Sequence, residues 1–160
     1  MEHPVHVVDR PALRVVAKRL QADLAAIGPT LAQSFGEIFA TISAGRAEPA
    51  GPPFVIYHSM PVPGEPLDIE VCAPVAGALE PPPPWAMMEL PAGTFASLMH
   101  VGPYETVGAA YDLLSAWIPD HGLAIAGPPR EVYLSPPSTP PERIQTIVEF
   151  PVTRAPVAVS

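Results

Sequence analysis

The chain has 160 residues, of which 48% are hydrophobic and 15% charged, a balance that supports a packed core and argues against disorder even with 25 prolines. Net charge is −8, from 8 basic and 16 acidic residues, which disfavours nucleic-acid backbones and anionic membrane surfaces and leaves cationic ligands in play. A single cysteine, Cys72, excludes an internal disulfide and a multi-cysteine zinc site.

The first residues, Met1 to Val5, lack the basic region and apolar run of a signal peptide. No stretch reaches the roughly 18 uninterrupted apolar residues of a membrane span. A cytoplasmic domain is the expectation. The Pro-free segments then define the elements, because Pro is tolerated mainly at element boundaries. Residues 12–18 are short and β-branched and predict a strand. Gly28-Pro29 introduces a helix over 30–48, where Leu31, Phe35, Ile38, Phe39 and Ile42 draw one apolar stripe. Residues 54–58 (Phe-Val-Ile-Tyr-His) predict a second strand, and 60–66 a Pro-rich hairpin loop. In 67–75, Leu67, Ile69, Val71, Ala73 and Val75 alternate with Asp68, Glu70 and Cys72, the period of a strand. Pro81 to Pro84 read as a stiff spacer. Residues 94–101 predict a further strand. Gly102-Pro103 precedes a helix over 104–118, with Val107, Ala110, Tyr111, Leu114, Trp117 and Ile118 on one face and Pro119 and Gly122 as its stop. Strands over 130–135 and 144–150, joined by the Pro-rich loop 136–141, complete the chain.

The two halves repeat each other in order. Ile27-Gly28-Pro29, helix, Gly51-Pro52-Pro53 and Phe54 to Ser59 are answered by Val101-Gly102-Pro103, helix, Gly127-Pro128-Pro129 and Arg130 to Ser135. Tyr57 and Tyr133 fall at the same place, as do Ser59 and Ser135. Ala73-Pro74-Val75 is answered by Phe150-Pro151-Val152. The expected fold is α+β: tandem duplicated β-α-β-β modules (SHS2-like) about a pseudo-twofold axis, with antiparallel sheets and a central ligand groove. It forms one domain over 1–160, with half one at about 5–80, a Pro-rich linker at 80–91 and half two at about 92–152.

This ordered set resembles the GyrI-like small-molecule-binding domain, the effector-binding domain of multidrug-responsive regulators of the MerR and AraC classes. The residues that carry it are Gly51 to His58, Asp68 to Val71 with Pro74-Val75, and His100 to Tyr104. Tyr111 to Trp117, His121-Gly122, Gly127, Glu131 to Leu134 and Phe150 to Val152 complete the set. The resemblance implies an amphipathic, often cationic, small-molecule ligand, held by aromatic walls and one acidic residue on a strand. No cofactor and no metal are expected. Many members are fused to a helix-turn-helix reader; nothing before residue 12 could be one, so a stand-alone form without direct nucleic-acid contact is expected. Some stand-alone relatives hydrolyse electrophilic cyclopropane-bearing cytotoxins with a Tyr and a Glu. Others are linked to gyrase inhibition, which would make this an interaction protein that protects gyrase.

Glu131 is the leading site residue: a carboxylate stands where the repeat places Val55. A carboxylate in an apolar cleft is costly unless it meets a cation or a donor. Glu131 and Tyr133, two apart on a strand, share a face. Tyr57 is expected on the related side of the groove, as a wall or as a general acid beside Glu131 if the protein is a hydrolase. Tyr104, Trp117 and Met99 complete the expected lining. A helical stripe such as that of Tyr111 and Trp117 is more often core than ligand box. Trp85 reads as a lid or a loop anchor, and Met87, Met88 and Met99 as adaptable apolar lining or, more commonly for methionine, as core gap-fillers. His58 and His100 have no partners at metal-ligand spacing. Ser59 or Ser135 with His58 lacks a nucleophile elbow, and Cys72 has no basic neighbour to activate it. No phosphate loop or dinucleotide fingerprint occurs.

Overall fold

A computed structural model describes residues 4–136 and 138–156. Met1 to His3, on which the absence of a leader was partly read, Pro137 of the second Pro-rich loop, and 157–160 lie outside the described residues. The architecture is α+β, with antiparallel strand pairs and two α-helices. The chain divides into two units: Ala12–Pro91, and Met1–Pro11 together with Ala92–Ser160.

The N-terminal strand belongs to the unit that also holds the C-terminal half of the chain. Strand β1 (His6–Arg10) precedes β2 (Leu13–Ala22) but pairs with a strand of the second unit. In the first unit β2 is followed by α1 (Ile27–Ala44), β3 (Glu48–Pro49), β4 (Phe54–Tyr57), β5 (Leu67–Ala76) and β6 (Ala86–Leu90). The order across this unit is β4-β5-β2-β6, with β3 also on β5. β2 runs four residues beyond its predicted end because Arg19, Leu20, Gln21 and Ala22 continue the ladder against Glu70, Ile69, Asp68 and Leu67. Asp23 then accepts from the Ala25 N–H at 3.1 Å and caps a 3₁₀ turn. α1 starts at Ile27, so Pro29 sits within its first turn, where a missing N–H costs nothing. The helix buries Ser34, Ile38 and Ile42 and packs on β5 and β2. Arg46, with positive φ, follows it.

Two readings are corrected here. Half one does not begin at residue 5, because β1 lies against the second unit. The stretch 80–91 is not only a linker, because Ala86–Leu90 pairs with β2. Trp85 is 6% exposed with the Lys18 ammonium 4.8 Å from its ring centroid, so it anchors the Pro-rich loop rather than forming a lid.

The second unit contains β7 (Gly93–Val101), a 3₁₀ turn (Tyr104–Thr106), α2 (Gly108–Asp120), β8 (Leu123–Ile125), β9 (Arg130–Tyr133) and β10 (Gln145–Arg154). Its order is β1-β7-β10-β9, with β8 also on β10. Pro119 lies inside the last turn of α2 instead of stopping it; the stop is Gly122 at φ +72°, a conformation that favours glycine. The alternation of β10 sends Thr146, Val148, Phe150 and Val152 to one face, all buried. Ala96 and Leu98 of β7 join them, and Ala110, Leu114 and Ile118 of α2 close this core. Val107, Tyr111 and Trp117, the rest of the predicted stripe, pack at its margin.

Candidate functional site

Register sorts the polar residues of the second unit onto two faces. Glu131 pairs with Val148, and Val148 with Leu98; Tyr133 pairs with Thr146, and Thr146 with His100. Paired residues in an antiparallel ladder share a face. Glu131, Tyr133, Thr146 and His100 therefore lie on the side covered by α2, and all four are buried. Both oxygens of Glu131 are engaged. The Tyr111 hydroxyl donates to Oε2 at 2.5 Å, and the Tyr133 hydroxyl to Oε1 at 3.0 Å. The Tyr104 ring meets that of Tyr133 edge-on, centroids 5.8 Å apart, and Tyr111 meets Phe150 likewise at 5.9 Å. Tyr104 is the outermost of these rings, 46% exposed.

The turn carrying Tyr104 is fixed from below. His100 Nε2 lies 3.2 Å from the Pro103 carbonyl and 3.0 Å from Thr106 Oγ1, and the Thr106 hydroxyl donates to the Pro103 carbonyl at 2.8 Å. Gly102 has φ +143°, and a side chain there would be strained while meeting His100 and Thr106.

Burial pushes the Glu131 carboxyl above its usual range. Donation by Tyr111 and Tyr133 and the nearby His100 pull it down without cancelling that rise. Burial, then the charge of Glu131, push the Tyr104 phenol up. The arrangement is a carboxylate under tyrosine rings, short of counter-charge.

Of the sequence-derived candidates, the structure brings together Glu131, Tyr133 and Tyr104. Met99 pairs with Ile147, on the opposite face of the sheet from Glu131, because side chains alternate along β7 and His100 takes the helix side. Trp117, six residues along α2 from Tyr111, stacks instead on His121 at 3.7 Å. Tyr57 is half-buried on β4, in the other unit. Tyr111, read as core, is the residue that sequence reasoning missed; its ring packs on the core while its hydroxyl reaches the carboxylate. His58 binds Glu70 at 2.9 Å, and Cys72 is fully buried. Among the described residues no cluster of His, Cys, Asp and Glu could hold a metal, and no helix is long and apolar enough to cross a membrane.

The GyrI-like small molecule binding domain model matches residues 3–153, and the chain belongs to that family. A comparison with curated proteins finds no match. Among solved structures, the EcmrR C-terminal domain is similar with a TM-score of 0.77 and 22% identity, over 95% of this chain and 98% of that one. EcmrR in its DNA complex gives a TM-score of 0.84 at 22% identity, and the chain spans 58% of that protein's length. SAV2435 bound to tetraphenylphosphonium gives 0.64 at 11% identity, over 94% of both chains. A hydrolase from Listeria innocua gives 0.62 at 14%, over 93% of this chain and 91% of that one.

Proposed function

We propose that this small-molecule binding domain takes a hydrophobic cation at Glu131, for sensing or sequestration. The observation that carries the reading is the buried carboxylate whose nearest donors are two tyrosine hydroxyls. A ligand cation would supply the missing counter-charge, and the rings of Tyr133, Tyr111 and Tyr104 would add cation–π attraction of about 0.5–2 kcal/mol. The tetraphenylphosphonium bound by SAV2435 is a cation of this kind.

We also read the chain as a duplication. Recurring local devices support it. Gly51 lies where a Cβ would be 3.3 Å from Pro74, and Gly127 where one would be 3.2 Å from Pro151. Ser59 Oγ accepts from the Asp68 N–H at 2.9 Å, and Ser135 Oγ from the Gln145 N–H at 2.8 Å. On this reading Glu131 replaces a valine, Val55, which is fully buried on β4.

The test is calorimetric titration with tetraphenylphosphonium across pH. The expected result is a dissociation constant on the order of micromolar at pH 8. Because this cation does not titrate, any pH dependence belongs to the protein. Bound cation favours ionised Glu131, whose free-state pKa is raised, so affinity should fall as pH drops through that value, by up to about tenfold per unit. Absent or pH-independent binding would refute the assignment.

A second reading, hydrolysis of a strained electrophile, is supported by the close Tyr111–Glu131 pairing. Glu131 would take a proton from water as the water oxygen bonds to carbon. A tyrosine hydroxyl would protonate the carbon released when the strained bond breaks. Product beyond one equivalent from a cyclopropane substrate separates turnover from binding.

A further inference from the structure

Thr146 Oγ1 is buried and has no hydrogen-bond partner among the described residues. The residue is fully buried near the start of β10, between Tyr133 and His100 in the ladder. Glu131 is its diagonal neighbour on the same face, at roughly 7–8 Å between Cα atoms. Of the polar groups on either side of it, the Tyr133 hydroxyl donates to Glu131 and His100 Nε2 faces the Pro103–Thr106 turn. An unbonded buried hydroxyl destabilises a protein, and valine would fill nearly the same volume without that cost.

We propose that Thr146 is a specificity-determining contact of the Glu131 site, bonding through its hydroxyl to a neutral polar atom that the ligand carries about one ring's width from its cationic centre. The inference rests on Glu131 binding a cation. It narrows the ligand class from bare hydrocarbon cations to cations bearing a hydroxyl, ether or carbonyl group. A hydroxyl donates and accepts, so each of these groups can be met. Because Thr146 is covered, the side chains above it must move to admit the ligand, and Tyr104 is the exposed ring packed on its neighbour Tyr133.

The experiment compares tetraphenylphosphonium with its meta- and para-hydroxyphenyl triphenylphosphonium analogues, on the wild type and on Thr146→Val, alongside thermal melting of both free proteins. In the wild type at least one hydroxyl analogue should bind about fivefold more tightly than the parent cation. In Thr146→Val that ratio should collapse to about one, and the free variant should melt higher than the wild type. Equal binding of all three cations by the wild type overturns the proposal. So does a preference that survives in Thr146→Val, or a variant that melts lower, which would mean the hydroxyl is already satisfied. Failure of all three cations to bind the wild type overturns the Glu131 reading itself and this inference with it.

Discussion

Glu131→Gln is expected to lose about 30- to 100-fold in affinity for tetraphenylphosphonium and yet to melt at a higher temperature than the wild type at pH 8. The binding loss follows from removing the charge that faces the cation in a desolvated site, where truncating one partner of a buried pair costs about 2–5 kcal/mol. The stability gain follows from linkage. The folded-state pKa of Glu131 is raised, with burial as the largest cause. A group of that kind contributes most to stability below its unfolded pKa, near 4.3–4.5, and the contribution is lost as pH rises through the folded value. Glutamine stays neutral throughout and can still accept from one tyrosine and donate to the other. The melting difference between variant and wild type should be near zero at pH 4 and grow positive above it. In a chain of this length each kcal/mol corresponds to about 2–4 °C. Melting curves from pH 4 to 8 and titrations at pH 8 check both halves. A variant that binds as tightly as the wild type removes Glu131 from the site. One that melts lower at every pH shows instead that the carboxylate is well satisfied where it lies.

The same opposition explains what was legible beforehand. Glu131 stands out in the sequence as a charge where the matching stretch of the first half has Val55, and Tyr133 follows from the period of two. Both signals are local. Tyr111 was hidden because its ring obeys the helical stripe and packs against Phe150; only its hydroxyl serves the carboxylate, and a stripe encodes rings rather than their tips. The side of the sheet that Met99 faces depends on the register of β7, which its own sequence does not carry. Once Thr146 pairs with His100, Met99 must face the other way. The long strands and both helices were readable because each buries one face. β1 and β6 are not, since neither buries a residue and Pro11 and Pro81 to Pro84 flank them. Nor does any local pattern announce that β1 crosses to pair with β7, some 85 residues later in the chain, rather than with its neighbour β2.

β1 is held there by its ladder to β7 and, through Arg10, by a second polar cluster on the face opposite Glu131, which carries the largest stability prediction. Glu149 is 1% exposed on β10. Arg10 of β1 donates to its Oε2 at 2.9 Å, and Arg130 of β9 donates to its Oε1 at 2.7 Å. The Arg130 guanidinium also lies over the Phe95 ring at 4.1 Å. One carboxylate thus joins two strands that do not pair with each other. Breaking a buried ion pair from one side costs about 3–5 kcal/mol, because the remaining charge keeps its desolvation penalty. Glu149→Ala should lose about that much in urea denaturation. Arg10→Ala should lose clearly less, since its side chain is 38% exposed and water can replace the arginine at the surface. Backbone amide exchange should separate the two effects: Glu149→Ala should release protection in β1 and β9 together, Arg10→Ala in β1 first. A Glu149→Ala midpoint matching the wild type would mean that β1 is held by its ladder to β7 alone. The two faces of this sheet therefore use glutamate in opposite ways: Glu149 is held by two arginines and secures strands, while Glu131 is held by two tyrosine hydroxyls beneath α2.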